Sequence, residues 1–301
     1  MQTVLLFGKT GQIGFELERA LSPICHLIAP GHAEAGLTDA DAIRKLIDGV
    51  KPDVIVNAAG FTIVDAAESQ TELVMQINAA APGVIAECAK KTGALLLHYS
   101  TTFVFDGAKQ TPYTEEDAPN PLNTYGRSKL AGEQAVIAAA GHSVILRANW
   151  VYSARRTNFA LAMLKLAREK SVLRIVDDQI GSPTWARDYA VATAGLLTDP
   201  GRLREAPGIY HLSAQSHCSR LQWAQQLVSH AKTVFGTGSG WASLQPTTTE
   251  NYPLPAPRPL YTVTNNRKIE EAFGIRMPLW EDRIESFLGH CQTLKNCFNH
   301  R

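Results

Sequence analysis

Short apolar runs without polar alternation recur through the first half of the chain, at Thr3–Phe7, His26–Ala29, Val54–Asn57, Leu95–Tyr99 and Val144–Leu146. Runs of this kind fit strands covered on both faces. Between them, helical spacing of apolar residues spans Gln12–Leu21, Asp39–Val50, Leu73–Thr92 and Thr124–Ala140. The alternation predicts β-α-β units and a doubly wound parallel sheet of Rossmann type. After about residue 150 the rhythm weakens. Proline, glycine and aromatic residues become common there: Pro183, Trp185, Pro207, Trp223, Trp241 and the run Pro253–Pro259. Helical spacing persists over Asn158–Lys170, Ala186–Leu197, Arg220–Ala231 and Trp280–Gly289. The pattern therefore places the sheet in residues 1–150. Residues 151–301 form mainly a smaller α/β lobe over the sheet's carboxyl edge, with the chain free to cross back.

Composition narrows the partners. The 301 residues are 45% hydrophobic, enough for a large core, and carry 29 basic against 28 acidic side chains. No block of like charge stands out, so neither a nucleic-acid surface nor a polybasic membrane patch is expected. Cys25, Cys88, Cys218, Cys291 and Cys297 are scattered without a C-x-x-C pair. That argues against a disulfide framework and a structural zinc site, and for a reducing compartment. No apolar run approaches the ~20 residues that span a bilayer, and Met1-Gln2 leads straight into the first strand. A soluble, cytoplasmic protein is expected.

Candidate chemistry begins at the first strand–helix turn. Gly8-Lys9-Thr10-Gly11-Gln12-Ile13-Gly14 lies between them. Gly8 allows the tight turn, Gly11 lets backbone approach a pyrophosphate, and Gly14 permits close helix–strand packing. The helix N-terminus offers unpaired N–H groups to phosphate. The spacing is G-x-x-G-x-x-G, and an ordinary turn is the competing reading. An acid at the end of the second strand would bind a ribose 2′-hydroxyl and repel a 2′-phosphate. Here that strand ends Ala29-Pro30-Gly31-His32, with no acid before Glu34. Asp39 lies near the expected distance but also suits an N-cap.

Tyr125 and Lys129 stand four apart within a predicted helix, so both fall on one face. An ammonium one turn from a phenol favours the phenolate and fits the phenol for proton exchange with a carbonyl oxygen. Earlier, His98-Tyr99-Ser100-Thr101-Thr102 closes a strand, where hydroxyls can donate to an oxygen that gains charge. A Ser/Thr run capping a loop is the plainer alternative.

Taken in order, these motifs resemble the extended short-chain dehydrogenase/reductase family, and within it the branch that acts on dTDP-4-dehydro-L-rhamnose. The resemblance continues through Pro52–Ala59, Val64-Asp65, Ala67-Glu68, Pro121-Leu122-Asn123, Leu130-Ala131-Gly132-Glu133, Trp150-Val151-Tyr152, Asn158-Phe159, Asp178-Gln179, Pro183-Thr184, Tyr210-His211-Leu212 and Arg258-Pro259. It implies an NAD(P)H-dependent oxidoreductase that reduces the 4-keto group to give dTDP-L-rhamnose, for cell-surface polysaccharide. The implied catalytic residues are Thr101, Tyr125 and Lys129. Those facing NADPH or NADH are Gly8, Gly11, Gln12, Ile13, Gly14, Asp39, Ala58, Ala59 and Thr62, with Tyr125 and Lys129. Thr101, Thr102, Trp150 and Arg258 are expected at the dTDP-sugar. Some members are homodimers bridged by a divalent ion such as Mg2+, whose ligands the sequence does not identify. The chain departs from the usual pattern at Thr102 (aspartate), Phe103 (tyrosine), Gly31 (aspartate), Asn149 (serine) and Tyr261-Thr262 (Asn-Ser). Thr102 and Asn149 are expected to face the sugar, Thr102 as a weaker, uncharged partner. Another dTDP-4-keto-6-deoxy sugar, or a non-catalytic regulatory subunit of the same fold, remains open.

Overall fold

The computed structural model describes residues 1–235 and 240–293. Elements appear in the order β1 (Thr3–Phe7), α1 (Gln12–Leu21), β2 (His26–Ile28), α2 (Ala40–Val50), β3 (Val54–Asn57), α3 (Val64–Ala67), α4 (Thr71–Met75), α5 (Ala81–Thr92), β4 (Leu95–Thr101), α6 (Thr124–Ala138) and β5 (Ser143–Ala148). The main sheet runs β2-β1-β3-β4-β5 and ends on a sixth strand, Gly208–Leu212, with every pair parallel. This is the doubly wound α/β architecture that the alternation implied. Strand order reverses between β1 and β3, and in such sheets ligands bind outside the carboxyl ends at that reversal.

Burial on both faces explains the unalternating strands. Val4 and Leu6 of β1 enter one core with Leu17 and Leu21 of α1, while Leu5 and Phe7 enter another with Ile43, Ile47 and Ile85. Each such side chain contributes about 1.5–3 kcal/mol on burial.

Two features escape the periodicity. The helix expected over Leu73–Thr92 is split by a π-helical turn, Gln76–Ala80, between α4 and α5. Its Asn78 is buried, donates to Phe61 O and Ser128 Oγ, each at 3.0 Å, and accepts from Phe61 N at 2.8 Å. Helix α6 comes so close that a Cβ on Gly132 would lie 2.1 Å from Asn78 O. π-bulges of this kind cluster at functional sites. The second feature is Gly208–Leu212, which pairs with β5 after some sixty residues away from the sheet. Helix Ala186–Leu196 likewise returns, to pack on α1.

The aromatics that punctuate the second half are core. Tyr152, Trp185, Trp223, Trp280 and Phe287 bury themselves among helices Phe159–Glu169, Arg220–Phe235 and Ile284–Thr293. Cys25, Cys88, Cys218 and Cys291 are buried and form no disulfide; Cys297 lies outside the described residues. Among the described residues no helix is long and apolar enough to cross a membrane.

One buried ion pair ties α6 to the sheet. Arg147 on β5 donates from Nε and Nη2 to the two carboxylate oxygens of Glu133, at 2.9 and 2.7 Å, and the side chains are 2% and 1% exposed. Ser100 on β4 donates to the same carboxylate at 2.5 Å. Removing one partner strands a buried charge, which costs about 3–5 kcal/mol. Glu133→Ala is therefore expected to lower unfolding free energy in urea by about 3–5 kcal/mol. A loss below about 1 kcal/mol, the range of exposed pairs, would show that the clamp carries little.

Candidate active site

The phosphate loop has the close approaches its glycines imply. Gly8 has φ +94°, in the left-handed region that favours glycine, and a Cβ there would lie 2.6 Å from Ala59 N. A Cβ on Gly14 would lie 1.9 Å from Gly8 O. Gly11 donates its N–H to Gly8 O at 2.9 Å and opens α1 with no side-chain cap, leaving the helix N-terminus free for an anion. The Gln12 amide oxygen is buried beside it with no partner among the described residues. These features fit a bound dinucleotide. Ile13 and Ala58 pack partly buried at the edge of the sheet core, and Thr62 is exposed in the loop after β3.

At the adenosine end, Asp39 caps α2 by accepting from Ala42 N at 2.9 Å. The turn after β2 brings back an acid that linear order placed too late: Glu34 accepts from Gly31 N at 2.5 Å. Arg156, unmarked by any sequence motif, reaches the loop and donates to Thr10 O at 2.9 Å.

Helix α6 is fixed at its start by three neighbours. Asn123 caps it, accepting from Gly126 N at 2.8 Å, and its Nδ2 donates to Pro257 O at 2.8 Å. Glu68 accepts from Thr124 N and Oγ1 at 2.7 and 3.0 Å. This places Tyr125 half-buried, edge-on to Phe103 with ring centroids 5.9 Å apart, and beside the Thr101 hydroxyl, which accepts from Phe103 N at 3.2 Å. Burial raises the Tyr125 pKa above its ordinary value, and the neighbouring Thr101 hydroxyl partly offsets that rise. Lys129 is buried one turn on, and its Nζ donates to Tyr99 O at 2.6 Å. Burial lowers its pKa to about 8, against the pull of the Glu133 carboxylate. Thr101, Tyr125 and Lys129 thus converge at the carboxyl end of β4. The partner that draws down the phenol is Thr101, however, whereas the expected one was Lys129, which is turned toward Tyr99 O and His98.

The residues expected at the sugar each have a partner within the protein. Thr102 is wholly buried, and its hydroxyl donates to Asn149 Oδ1 at 3.2 Å. Thr262 Oγ1 donates to the same oxygen at 3.2 Å, and Asn149 Nδ2 donates to Thr262 O at 2.7 Å. Three of the departing positions are therefore one hydrogen-bonded cluster. Trp150 sits at φ +32°, a strained conformation for a non-glycine residue, and a Cβ on Gly181 would lie 2.4 Å from its ring. The Arg220 guanidinium lies 3.6 Å from the Trp150 ring centroid. Arg258 pairs with Asp65 at 2.8 Å. Among the described residues no carboxylate pairs with Arg220, whose pKa burial lowers to about 9. It stays cationic at neutral pH. Arg220 was missed from sequence because it opens a helix like any solvated arginine. No three His, Cys, Asp or Glu side chains among the described residues could hold a metal ion, so no residue is assigned to Mg2+.

Residues 1–293 match the family model described as RmlD substrate binding domain. The dTDP-4-dehydrorhamnose reductase of Burkholderia thailandensis is 40% identical over 282 residues, 92% of this chain and 95% of its own length. That of Salmonella typhimurium is 40% identical over 293 residues, 95% and 96% of the two chains. A crystal structure of dTDP-4-dehydrorhamnose reductase from Bacillus anthracis in complex with NADP superposes with a TM-score of 0.89 at 30% identity, covering 96% of this chain and 99% of that one. With the phosphate loop, the Tyr125/Lys129 pair and the match over nearly its whole length, this chain belongs to the RmlD substrate binding domain family.

Proposed function

We propose that this protein reduces dTDP-4-dehydro-L-rhamnose to dTDP-L-rhamnose with NADPH or NADH, in the cytoplasm. The observation that carries the reading is the placing of Tyr125 on α6 beside Thr101 at the carboxyl end of β4, with Lys129 one turn along and bonded to Tyr99 O. The relatives of the same name, at 40% identity over nearly the whole chain, support the substrate. When bound, the nicotinamide supplies the hydride. Thr101 and Tyr125 hold the substrate's 4-keto oxygen between two hydroxyls, and the phenol proton passes to that oxygen as negative charge develops. Burial keeps the phenol protonated until it is needed. Lys129 holds the nicotinamide ribose and returns a proton to the phenolate. Gly8, Gly11, Gln12, Ile13 and Gly14, with Ala58, Ala59 and Thr62, line the cofactor. Asp39 and Glu34 are both engaged by backbone N–H groups, Ala42 N and Gly31 N, so neither is a free carboxylate against a 2′-phosphate, and the preference between NADPH and NADH is small.

Trp150 and Thr101 border the sugar from the sheet side. Arg220, stacked on Trp150 without a carboxylate, takes the diphosphate together with Arg258, because an enclosed guanidinium is stabilised most by an anion. The intact Tyr125/Lys129 pair speaks against a non-catalytic subunit. The Thr102–Asn149–Thr262 cluster keeps the second reading alive, another dTDP-4-keto-6-deoxy sugar, because it rebuilds the floor beside Thr101.

Tyr125→Phe should retain NADPH binding and lose turnover by about 10²–10⁴-fold, the worth of general-acid catalysis. More than half of wild-type activity in a stopped assay of NADPH absorbance would remove Tyr125 from the mechanism. The pH profile of kcat/KM for reduction should fall on the alkaline side near pH 8. The Lys129 ammonium is present below its pKa of about 8 and lost above it, while the raised Tyr125 pKa keeps the phenol intact. A profile flat to about pH 10, the ordinary phenol range, would contradict this.

Thr102→Asp should destabilise the protein by about 1–3 kcal/mol, since a carboxylate would face Asn149 Oδ1 in a buried site. Adding Asn149→Ser should recover most of the loss in a double-mutant cycle by urea unfolding. Additive losses would show the two positions to be independent. In a panel of dTDP-4-keto-6-deoxy sugars, wild-type kcat/KM should be highest with dTDP-4-dehydro-L-rhamnose; a tenfold preference for another sugar would transfer the assignment to it.

A further inference from the structure

His98 is a buried imidazole that the mechanism above does not use. It lies on β4, wholly enclosed, with Nε2 3.4 Å from Lys129 Nζ and Nδ1 3.1 Å from Asn57 Nδ2. Asn57, at the end of β3, is itself oriented: its Oδ1 accepts from Ala59 N at 3.1 Å. Ala59 N belongs to the strip of backbone that Gly8 of the phosphate loop packs against.

These contacts determine which nitrogen of His98 carries the proton. With Oδ1 taken by a backbone N–H, the Asn57 amide presents its NH2 to His98 Nδ1. That nitrogen must accept, so the single proton of the neutral ring sits on Nε2. Nε2–H then points at Lys129 Nζ. A neutral amine accepts that N–H, whereas an ammonium, with three N–H groups and no lone pair, opposes it. The 3.4 Å separation, against the 2.6 Å bond from Nζ to Tyr99 O, fits such a contact.

We propose that His98 is a positioning residue that weakens the hold of Lys129 on its proton, through a tautomer set by Asn57. The proposal rests on the assignment of Tyr125 and Lys129 above. Its chemical use is plain: a lysine that releases its proton near neutral pH can restore the phenol after each turnover, which an ordinary lysine does poorly. The other groups around Lys129 do not supply this effect. Glu133, one turn along α6, favours the ammonium, and its carboxylate is already paired with Arg147 from β5. Tyr125, one turn back, is uncharged in neutral solution because burial raises its pKa. Burial of Lys129 acts in the same direction as His98. His98 itself stays neutral, since enclosure and the nearby lysine both hold its pKa well below the ordinary value.

His98→Gln separates the two influences. A glutamine amide reaches toward the Nε2 position, and its carbonyl is free to face Lys129, giving the ammonium an acceptor where the histidine gave it a donor. Asn57→Asp works from one residue away: a carboxylate accepts from Nδ1–H, transfers the ring proton, and turns an Nε2 lone pair to Lys129. Both variants should move the alkaline limb of kcat/KM upward by about one pH unit, a tenfold gain in proton affinity. A purely structural role would lower the rate or stability and leave the limb in place.

A second measurement uses no variant. In wild-type protein with 15N-labelled histidine and NADPH bound, the imidazole shifts of His98 should report an Nε2–H tautomer that does not titrate between pH 5 and about pH 8, unlike an ordinary histidine. An Nδ1–H tautomer overturns the proposal, as does an unmoved limb in either variant once it is shown to fold and bind NADPH. Should neither variant fold, the tautomer alone decides. Should wild type fail to reduce any dTDP-4-keto sugar, the functional reading falls, and the tautomer still tests the His98–Asn57 arrangement.

Discussion

The buried Glu133–Arg147 pair is the contact on which the site's geometry depends. Two ions with almost no exposure tolerate little displacement, because each would otherwise lose its directly bonded counter-charge in a medium that screens poorly. Ser100 satisfies a further carboxylate lone pair. The three residues come from α6, β5 and β4, and each lies next to a functional group. Glu133 is one turn beyond Lys129, Ser100 precedes Thr101, and Arg147 is two residues before Asn149. Holding the carboxylate therefore holds the phenol, the lysine and the β4 hydroxyl in one register. The start of α6 is constrained separately by Asn123 and Glu68, so the helix is pinned at both ends of its functional turn.

Within that frame, chemistry is governed by dehydration more than by charge pairing. Tyr125, Lys129 and His98 all have pKa values displaced toward their neutral forms, and burial is the largest cause for each. A pocket that disfavours every charge lets a proton move between groups at little cost, since no member is strongly committed to its ionic state. The phosphate loop shows the opposite treatment: backbone is brought close and the helix N-terminus is left uncapped, an arrangement suited to a permanent anion.

The cluster around Asn149 shows how substitutions combine. Thr102, Asn149 and Thr262 each depart from the usual pattern, and the first two, taken singly, read as changed ligand contacts. In the fold they satisfy one another, with Asn149 accepting two hydroxyls and donating to a carbonyl. A buried polar network of this kind is stable only when its members are matched, so the three positions behave as one unit. Next to it, Trp150 is held at an unfavourable φ with the Arg220 guanidinium over its ring.

The first-half architecture was legible because its strands are covered on both faces and its helices on one, so hydrophobic period alone separates them. Gly8 and Gly14 were legible because a Cβ at either position would collide with backbone, a constraint local to one turn. The Tyr125/Lys129 pair was legible because helical geometry puts residues four apart on one face. The sixth strand was hidden, since pairing Gly208–Leu212 with β5 depends on where a long excursion returns, and no local rule records that. The return of Glu34 to Gly31, the bonding of Thr102 to Asn149, and the stacking of Arg220 on Trp150 were likewise decided by tertiary contacts. The sequence by itself determined which side chains are chemically capable and which lie on a common helix or strand. Only the tertiary structure decided what each one faces, because burial and hydrogen-bond partners are set by neighbours distant in the chain, and those set both orientation and proton affinity.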